Sequence, residues 1–425
     1  MKSETRRLLI IGAGVEQVRA YELARELGLE VIGTDRDSDA PALRHADYQL
    51  IADTHDPEAN VAAALAFHAE RPIHGVMTIA HDVPLTVARV AEALGLPHIP
   101  IEAAELAIDK LAMKDRFARD GVAVPRYRKV ASAEELRTCA EEWGLPLVTK
   151  PIDSCGARGV LRVTDADQLD AALETSLSYS KRGVVIAEEY LSGLQLSTEG
   201  MAWRGKTTTA SWSERNYDRL EEFAPHIIED GGVLPATLTE TEVAEVTDLM
   251  ERAARSLGIE NGPVKGDIVM TERGPVVIEL AARLSGGYLA SHQIPFARNV
   301  DLVRQTILLS LGEELDPADL VPEHRCFLGV RFFFPEPGIV ESIDGFDELE
   351  AEPWIMMRVL YVAPGDVIEP TTSHPTRAGF VFTVGETSEQ AESRARECAE
   401  RVHIRTRPRA SESESAETLH PLVEP

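Results

Sequence analysis

A parallel sheet is the first commitment this sequence makes. Leu8-Leu-Ile-Ile-Gly reads as a buried strand, Val15 to Leu27 as an amphipathic helix and Glu30-Val-Ile-Gly-Thr-Asp as a second strand, with Ile73-His-Gly-Val-Met-Thr-Ile repeating the strand pattern later. Such alternation implies an α/β unit, a parallel sheet wound with helices, over residues 1–105. Gly12-Ala13-Gly14 follows the first strand and Asp35 ends the next, as in a dinucleotide fingerprint, but Gln17 stands where the third glycine belongs. A tight turn in a phosphate- or substrate-facing loop is the better reading.

Bulk properties narrow the partners of the whole chain. At 425 residues and 44% hydrophobic content it can build on the order of two to four packed domains. No apolar run approaches the ~20 residues that cross a bilayer. The start, Met1-Lys-Ser-Glu-Thr-Arg-Arg, leads into a strand and not a signal-peptide core, so a cytoplasmic protein with no membrane partner is expected. A formal charge of −28 makes contact with nucleic acid repulsive over most of the surface, so a phosphate site must be a local basic island. Only eight residues are Lys, which makes a lysine at a strand end informative. Cys139, Cys155, Cys326 and Cys398 lie too far apart for a zinc site or a disulfide framework.

Beyond the parallel unit, a helix around Ala103 to Asp120 closes at Gly121 and Pro125. From about 127 to 205 strands alternate with short helices, in Pro146-Leu-Val-Thr-Lys-Pro, Gly159-Val-Leu-Arg-Val and Gly183-Val-Val-Ile-Ala-Glu-Glu-Tyr-Leu, which predicts a small α+β lobe. A helix over 241–257 carries Val243, Val246, Leu249 and Ala253 on one face. Two strands follow, Lys265-Gly-Asp-Ile-Val-Met and Pro275-Val-Val-Ile-Glu-Leu, joined by a Glu-Arg-Gly turn. A last unit, 321–406, has strands at Leu328 to Phe334 and Phe380 to Val384 and a helix from Ser388 to Val402. These boundaries leave 106–320 as the central unit and 407–425 as a polar tail expected to be disordered.

Several stretches carry chemistry. Asp109-Lys110-Leu-Ala-Met-Lys114 and Pro146-Leu-Val-Thr-Lys150-Pro151 can bring ammonium groups to one cleft and neutralise a polyphosphate, although either alone reads as a surface lysine. Lys150 directly precedes Ile152-Asp-Ser154-Cys-Gly156-Ala-Arg158-Gly159, a loop whose N–H groups can cover phosphates, or else a hairpin turn; without GK[ST] it is no Walker A loop. Glu188-Glu189-Tyr190-Leu191 ends a strand whose backbone can meet an adenine edge. Asp267 and Glu279, one on each arm of the hairpin, can pair across the ladder, and paired carboxylates beside a polyphosphate suit Mg²⁺; the alternative is two solvated edge acids. Arg283 can hold an anionic substrate or a developing acyl phosphate.

In order and spacing, Lys110, Lys150, the glycine loop, Glu188 to Leu191, Asp267 and Glu279-x-x-x-Arg283 resemble the ATP-grasp superfamily over about residues 5 to 405. The C-terminal unit, notably Gly379-Phe-Val-Phe-Thr-Val-Gly385 and its following helix, resembles that of the amino-acid ligases that make dipeptides. The resemblance implies an α/β ATP-grasp fold with α+β ATP-gripping lobes, a Rossmann-like pre-ATP-grasp domain and a small C-terminal α+β unit. It implies a ligase that activates a carboxylate, an amino acid or similar small acid, as an acyl phosphate and joins it to an amine, releasing ADP and phosphate.

By the same resemblance, Lys110 and Lys150 would contact the phosphates of ATP, and the loop with Ser154, Gly156 and Gly159 would cover them. Glu188, Glu189, Tyr190 and Leu191 would hold adenine, with Gln195 where the family often has an acid for the ribose. Asp267 and Glu279 would ligate Mg²⁺, or Mn²⁺, and Arg283 and Lys150 would be catalytic. Ala281 stands where a metal-binding Asn is common, which leaves Glu199 or water as the substitute. The substrate pocket would draw on His226, Glu229, Arg283, Ser285, Gly286 and Gly287. Partners would be a small carboxylate and an amine, with a homodimer as the default assembly. Competing readings are a small-molecule kinase on the same scaffold and, prompted by Ala281, a nucleotide-binding regulator without turnover.

Overall fold

The N-terminal alternation folds as a wound sheet. In the computed structural model, which describes residues 5–409, β1 (Arg7–Ile11) lies between β2 (Glu30–Asp35) and β4 (Gly75–Met77), with β3 (Tyr48–Ile51) outside β2 and all pairs parallel. Most of the polar tail expected to be disordered lies outside the described residues. Helices α1 (Val18–Glu26), α2 (Pro57–Glu70) and α3 (Pro84–Leu94) belong to this unit. Alternate residues of β1 serve opposite cores, Leu8 and Ile10 with Tyr21 and Leu23, Leu9 and Ile11 with Ile73 and Val90. That is why the strand reads as unbroken apolar sequence. The last strand is shorter than the pattern at 73–79 predicts. After Thr78 the chain leaves the sheet, and Ile79 bridges Leu284 in parallel while the Ala80 N–H donates to Leu284 O at 3.0 Å.

The single helix expected around 103–120 is two, α4 (Ile101–Ala107) and α5 (Lys110–Arg119). Asp109 causes the break, because its carboxylate accepts from Leu111 N at 3.0 Å and Ala112 N at 2.9 Å and so caps a new helix. Lys110 thereby starts α5.

The small lobe is an antiparallel sheet in the order β5-β8-β6-β7, formed by β5 (Tyr127–Val130), β6 (Leu147–Pro151), β7 (Leu161–Val163) and β8 (Val185–Glu189), with α6 (Ala133–Trp143) and α7 (Leu169–Ser178) packed on it. The next strand, β9 (Leu194–Trp203), belongs to a different, eight-stranded sheet, although its residues fall within the stretch read as the small lobe. That sheet runs β13-β12-β9-β10-β11-β14-β18-β16, using β10 (Lys206–Asn216), β11 (Gly231–Leu234), β12 (Gly262–Thr271), β13 (Gly274–Ala281), β14 (Phe327–Phe333), β16 (Ile355–Leu360) and β18 (Gly379–Gly385). The C-terminal segment thus extends the sheet that carries the acid hairpin. Its strands β15 (Gly338–Asp344), β17 (Val367–Ile368) and β19 (His403–Arg407) form a sheet of their own.

Helix α8 (Glu240–Leu257) backs this sheet for reasons visible in its sequence. Thr239 and Glu242 form a capping box, Gly258 ends the helix in the left-handed region, and Val246, Leu249, Met250, Ala253 and Leu257 are buried along one face. Each large side chain among them contributes about 1.5–3 kcal/mol of burial. Short helices α9 (Ile294–Arg298) and α10 (Leu302–Ser310) join the N-terminal unit to the large sheet, and α11 (Ser388–Arg401) packs on β14 and β18. Among the described residues no helix is long and apolar enough to cross a membrane.

Candidate active site

The hairpin acids do meet. Asp267 on β12 and Glu279 on β13 are register partners, and a bulge after Asp267 twists the ladder there. Neither is a solvated edge acid. Asp267 accepts from Arg215 Nη1 at 3.0 Å and from Lys265 Nζ, and Glu279 lies 3.3 Å from Lys110 Nζ. Burial alone would raise Glu279, but Lys110, Lys265, Lys150 and Arg283 outweigh it and hold the carboxyl far below its ordinary value. Among the described residues no three His, Cys, Asp or Glu gather into a metal cage. Two carboxylates side by side still fit Mg²⁺, which takes one or two of them and completes its shell with phosphate oxygens and water.

Ala281, at the position of doubt, faces Lys265 in register, and Lys265 faces Glu199 on β9. Glu199 is fully buried, and its carboxyl is already engaged, accepting from Ser285 N at 3.1 Å and from Ser285 Oγ. Burial pushes this carboxyl up to about 7, against the opposing pull of Ser285, Arg283 and Lys265. A folded value above the ordinary one means the stabilisation is complete below about pH 4.5 and is lost as pH rises through about 7. Relative to Glu199→Gln, the native protein is expected to lose about 3 kcal/mol of unfolding free energy between about pH 5 and about pH 8 in urea titrations. A difference that does not change with pH would refute the assignment.

Two more lysines converge on one acid. Lys150, at the end of β6, lies 2.8 Å from Glu188 Oε1, and Lys114 on α5 lies 3.0 Å from the same oxygen while donating to Ile278 O at 2.8 Å. All three side chains are at most 4% exposed. Burial, partly offset by Glu188, brings Lys114 down to about 8. Glu188 is thus a floor post that ties the small lobe to α5, and only its backbone is available to a base. Glu189 is likewise occupied, accepting from Arg126 at 2.8 Å and lying 3.3 Å from Arg273 at the hairpin turn. Arg162 covers the Tyr190 ring at 5.7 Å. Leu191 packs with Val269, Val276 and Ile278 into a small apolar shelf between the lobes, and Gln195 is the register partner of Val269.

The glycine loop lies over this floor. Lys110 Nζ donates to Ser154 O at 2.6 Å, Ser154 Oγ donates to Arg158 O at 2.8 Å, and Gly156 and Gly159 both have positive φ. The C-terminal segment reaches the loop, with the His374 N–H donating to Gly156 O at 3.1 Å and Pro375 against Gly156 so closely that a Cβ there would come within 3.3 Å. A segment more than 200 residues downstream thus packs on the glycine loop of the small lobe.

On the substrate side, Arg283 donates from Nε to Asp82 Oδ1 of the N-terminal unit at 2.7 Å. Glu229 accepts from Arg215 at 2.9 Å, its backbone carbonyl accepts from Arg377 at 2.6 Å, and its N–H donates to His374 Nε2 at 3.5 Å. Burial first, then Arg377, Arg215 and Lys265, keep His374 well below the ordinary histidine value. Gly287 N donates to Glu16 Oε2 at 2.9 Å, and a Cβ on Gly286 would sit 2.6 Å from that oxygen, so glycine makes room for Glu16. Burial raises Glu16, opposed by Gly287, Arg283 and Arg377. His226 stands apart, bridged to Leu161 on the edge of the small lobe, with no hydrogen bond or ion pair to this cluster among the described residues.

The structure thus gathers Lys110, Lys150, Asp267, Glu279, Arg283, Glu229, Ser285 and the two glycines, and leaves His226 outside. Sequence reading missed Glu16, Asp82, Arg215, Lys265, His374 and Arg377. Lys265 had a signal, being one of eight lysines and two residues before Asp267. The others come from distant elements and had none.

Comparison with known proteins matches each part of the chain to a known family. Residues 21–98 match the family described as ATP-grasp N-terminal domain, 107–287 the ATP-grasp domain, and 331–407 the L-amino acid ligase C-terminal domain 2. The chain is 29% identical over 327 residues to uncharacterized protein y4rH of Sinorhizobium fredii, covering 76% of this chain but 66% of that protein, about two thirds of its length. It is 25% identical to alanine–anticapsin ligase of Bacillus subtilis, over 76% of this chain and 75% of that one. In fold it is similar to an L-amino acid ligase from Bacillus licheniformis, with a TM-score of 0.81 at 23% identity over 96% of this chain and 100% of that one. With the N-terminal unit, the central unit and the C-terminal segment matched in this order, the chain belongs to the ATP-grasp superfamily and carries the L-amino acid ligase C-terminal domain 2.

Proposed function

We propose that this protein activates the carboxylate of an amino acid or similar small acid as an acyl phosphate, at the expense of ATP, and joins it to an amine with release of ADP and phosphate. The observation that carries the reading is the register pair Asp267–Glu279, faced by Lys110, with Arg283 drawn to the same cleft by Asp82. Adenine fits the shelf of Leu191, Val269, Val276 and Ile278 beside the backbone of Glu188 to Leu191, with Gln195 toward the ribose and the phosphates near Lys110 and Lys150 under residues 153–159. Asp267 and Glu279 would hold Mg²⁺ or Mn²⁺, which when bound neutralises charge between phosphate oxygens. Lys110 and Lys150 take up the charge that shifts as the carboxylate attacks the γ-phosphoryl group, and Arg283 holds the acyl phosphate. The contact of His374 and Pro375 with the glycine loop would help keep out water, which would otherwise hydrolyse that intermediate. Glu16 beside Arg283 and Arg377 suits a zwitterion, with its ammonium at Glu16 and its carboxylate at the guanidinium groups.

The decisive experiment incubates the protein with Mg·ATP and carboxylates and amines, singly and in pairs. ADP and free phosphate are expected only when both substrates are present, together with a condensed product seen by mass spectrometry. A phosphorylated product without free phosphate would make the protein a kinase, and no ADP under any condition would make it a regulator.

A further inference from the structure

Apart from Asp82, the residues around one crevice have no part in the proposed handling of ATP, metal or the activated carboxylate. Gly12 to Gly14 follow β1, Asp35 ends β2, Thr54 and His55 come just past β3, and His81 and Asp82 just past β4. All stand at the carboxyl ends of parallel strands, where wound sheets bind ligands. Ala80 adopts φ +53, a left-handed conformation that is strained for a non-glycine residue. That turn lets consecutive side chains serve two purposes. Asp82 pairs with Arg283, and His81 Nε2 sits 2.7 Å from Thr54 Oγ1. Thr54 is itself anchored, its carbonyl accepting from Thr86 Oγ1 at 2.7 Å, and the His55 ring stands edge-on to His81 with centroids 5.2 Å apart.

His81 Nδ1 has no hydrogen-bond partner among the described residues. In the tautomer that donates Nε2–H to Thr54 Oγ1, Nδ1 presents a lone pair, and this is the form the proposal uses. The charged and titratable groups facing His81 are His55, Asp82, Asp35 and Arg283, while Lys181, Asp53, Asp82 and Arg36 face His55. Burial, then His55, hold His81 below the ordinary histidine value, so it is neutral at pH 7. Asp35 accepts only from the backbone, from Ala13 N at 3.0 Å and Asp37 N at 3.1 Å, and has no ion pair among the described residues. The cleft is thus polarised, with cations on the phosphate side and an uncompensated carboxylate beside a neutral imidazole on the other.

We propose that this crevice receives the amine co-substrate and that His81 takes its proton as the C–N bond forms. Asp35 draws the ammonium, the imidazole accepts one N–H proton, and the freed lone pair attacks the acyl carbon. The C–O bond to the phosphate oxygen breaks with its electron pair leaving on phosphate, the departing phosphate takes the second N–H proton so that a neutral amide results, and the imidazolium then returns its proton to water.

The inference rests on the acyl-phosphate reading, and hydroxylamine distinguishes the two. Largely unprotonated at neutral pH, it needs no base and traps an acyl phosphate as a hydroxamate. His81→Gln is expected to lower ligation to an amino-acid amine by about 100-fold, while hydroxylamine restores turnover to within about threefold of the native enzyme. The ligation deficit shrinks as pH rises and more amine is free base. Asp35→Asn raises KM for the amine and not for the carboxylate. Equal loss of both reactions, equal retention of both, or a KM effect confined to the carboxylate would overturn the proposal. A native enzyme that yields ADP but no hydroxamate would overturn the acyl-phosphate reading, and the proposal with it.

Discussion

Glu279→Gln is expected to lower ADP formation roughly a thousandfold and to abolish its dependence on Mg²⁺ concentration. The carboxylate sits among Lys110, Lys150, Lys265 and Arg283, whose field keeps it ionised well into the acid range, so protonation does not limit its use as an oxygen ligand. An amide of the same shape keeps the packing and loses the charge. Asp267→Asn differs in kind, because Asp267 also locks Arg215 and Lys265. Its loss strands two partly buried cations and should lower the urea midpoint as well as activity. The check is ADP release titrated against Mg²⁺, beside equilibrium unfolding of both variants. A native Mg²⁺ dependence in Glu279→Gln would remove this acid from the metal site.

Arg283→Lys is expected to cost at least about a hundredfold in kcat despite conserving charge. Arg283 is bound to Asp82 through Nε and Nη2, a planar contact that an ammonium group cannot reproduce while also reaching a substrate anion. Asp82→Asn removes the positioning partner and leaves the guanidinium, so a smaller loss of about tenfold is expected. The double variant should be no worse than Arg283→Lys alone, because Asp82 acts through Arg283. Single-turnover kinetics of the variants read this directly. Additive losses would mean that Asp82 has an independent role.

Much of the architecture was legible because it rests on local pattern. The continuous apolar run of β1, the capped amphipathic helix α8 and the turn between β12 and β13 each carry their own instructions within a dozen or so residues. The centre of the large sheet was not legible. In β9 and β10 the sequences LQLSTEGMAW and KTTTASWSERN place Thr198, Glu199, Thr207, Thr209 and Ser211 in buried positions. Hydropathy gives no strand signal there, and those polar groups are tolerated only because other elements supply partners, as Ser285 does for Glu199.

The same division runs through the site. Lys110, Lys150, Glu279 and Arg283 could be singled out because they lie at or near a strand or helix end, and Asp267, inside β12, because it stands opposite Glu279 in a hairpin, all five in a fixed order along the chain. Their partners were not. The side chain of Glu188, read as part of a nucleotide-contacting stretch, is the buried acid between Lys114 and Lys150, a placement that depends on α5 lying beneath β8. Glu16, Asp82 and Arg377 reach the cleft from the N-terminal unit and the C-terminal segment, far from the hairpin in the chain. Sequence by itself determined the parallel sheet, the acid hairpin and the order of charges, since backbone propensity and alternation are short-range properties. Only the tertiary structure decided which charge meets which, because a buried ion pair is set by elements far apart in the chain that desolvate the same few ångströms of space.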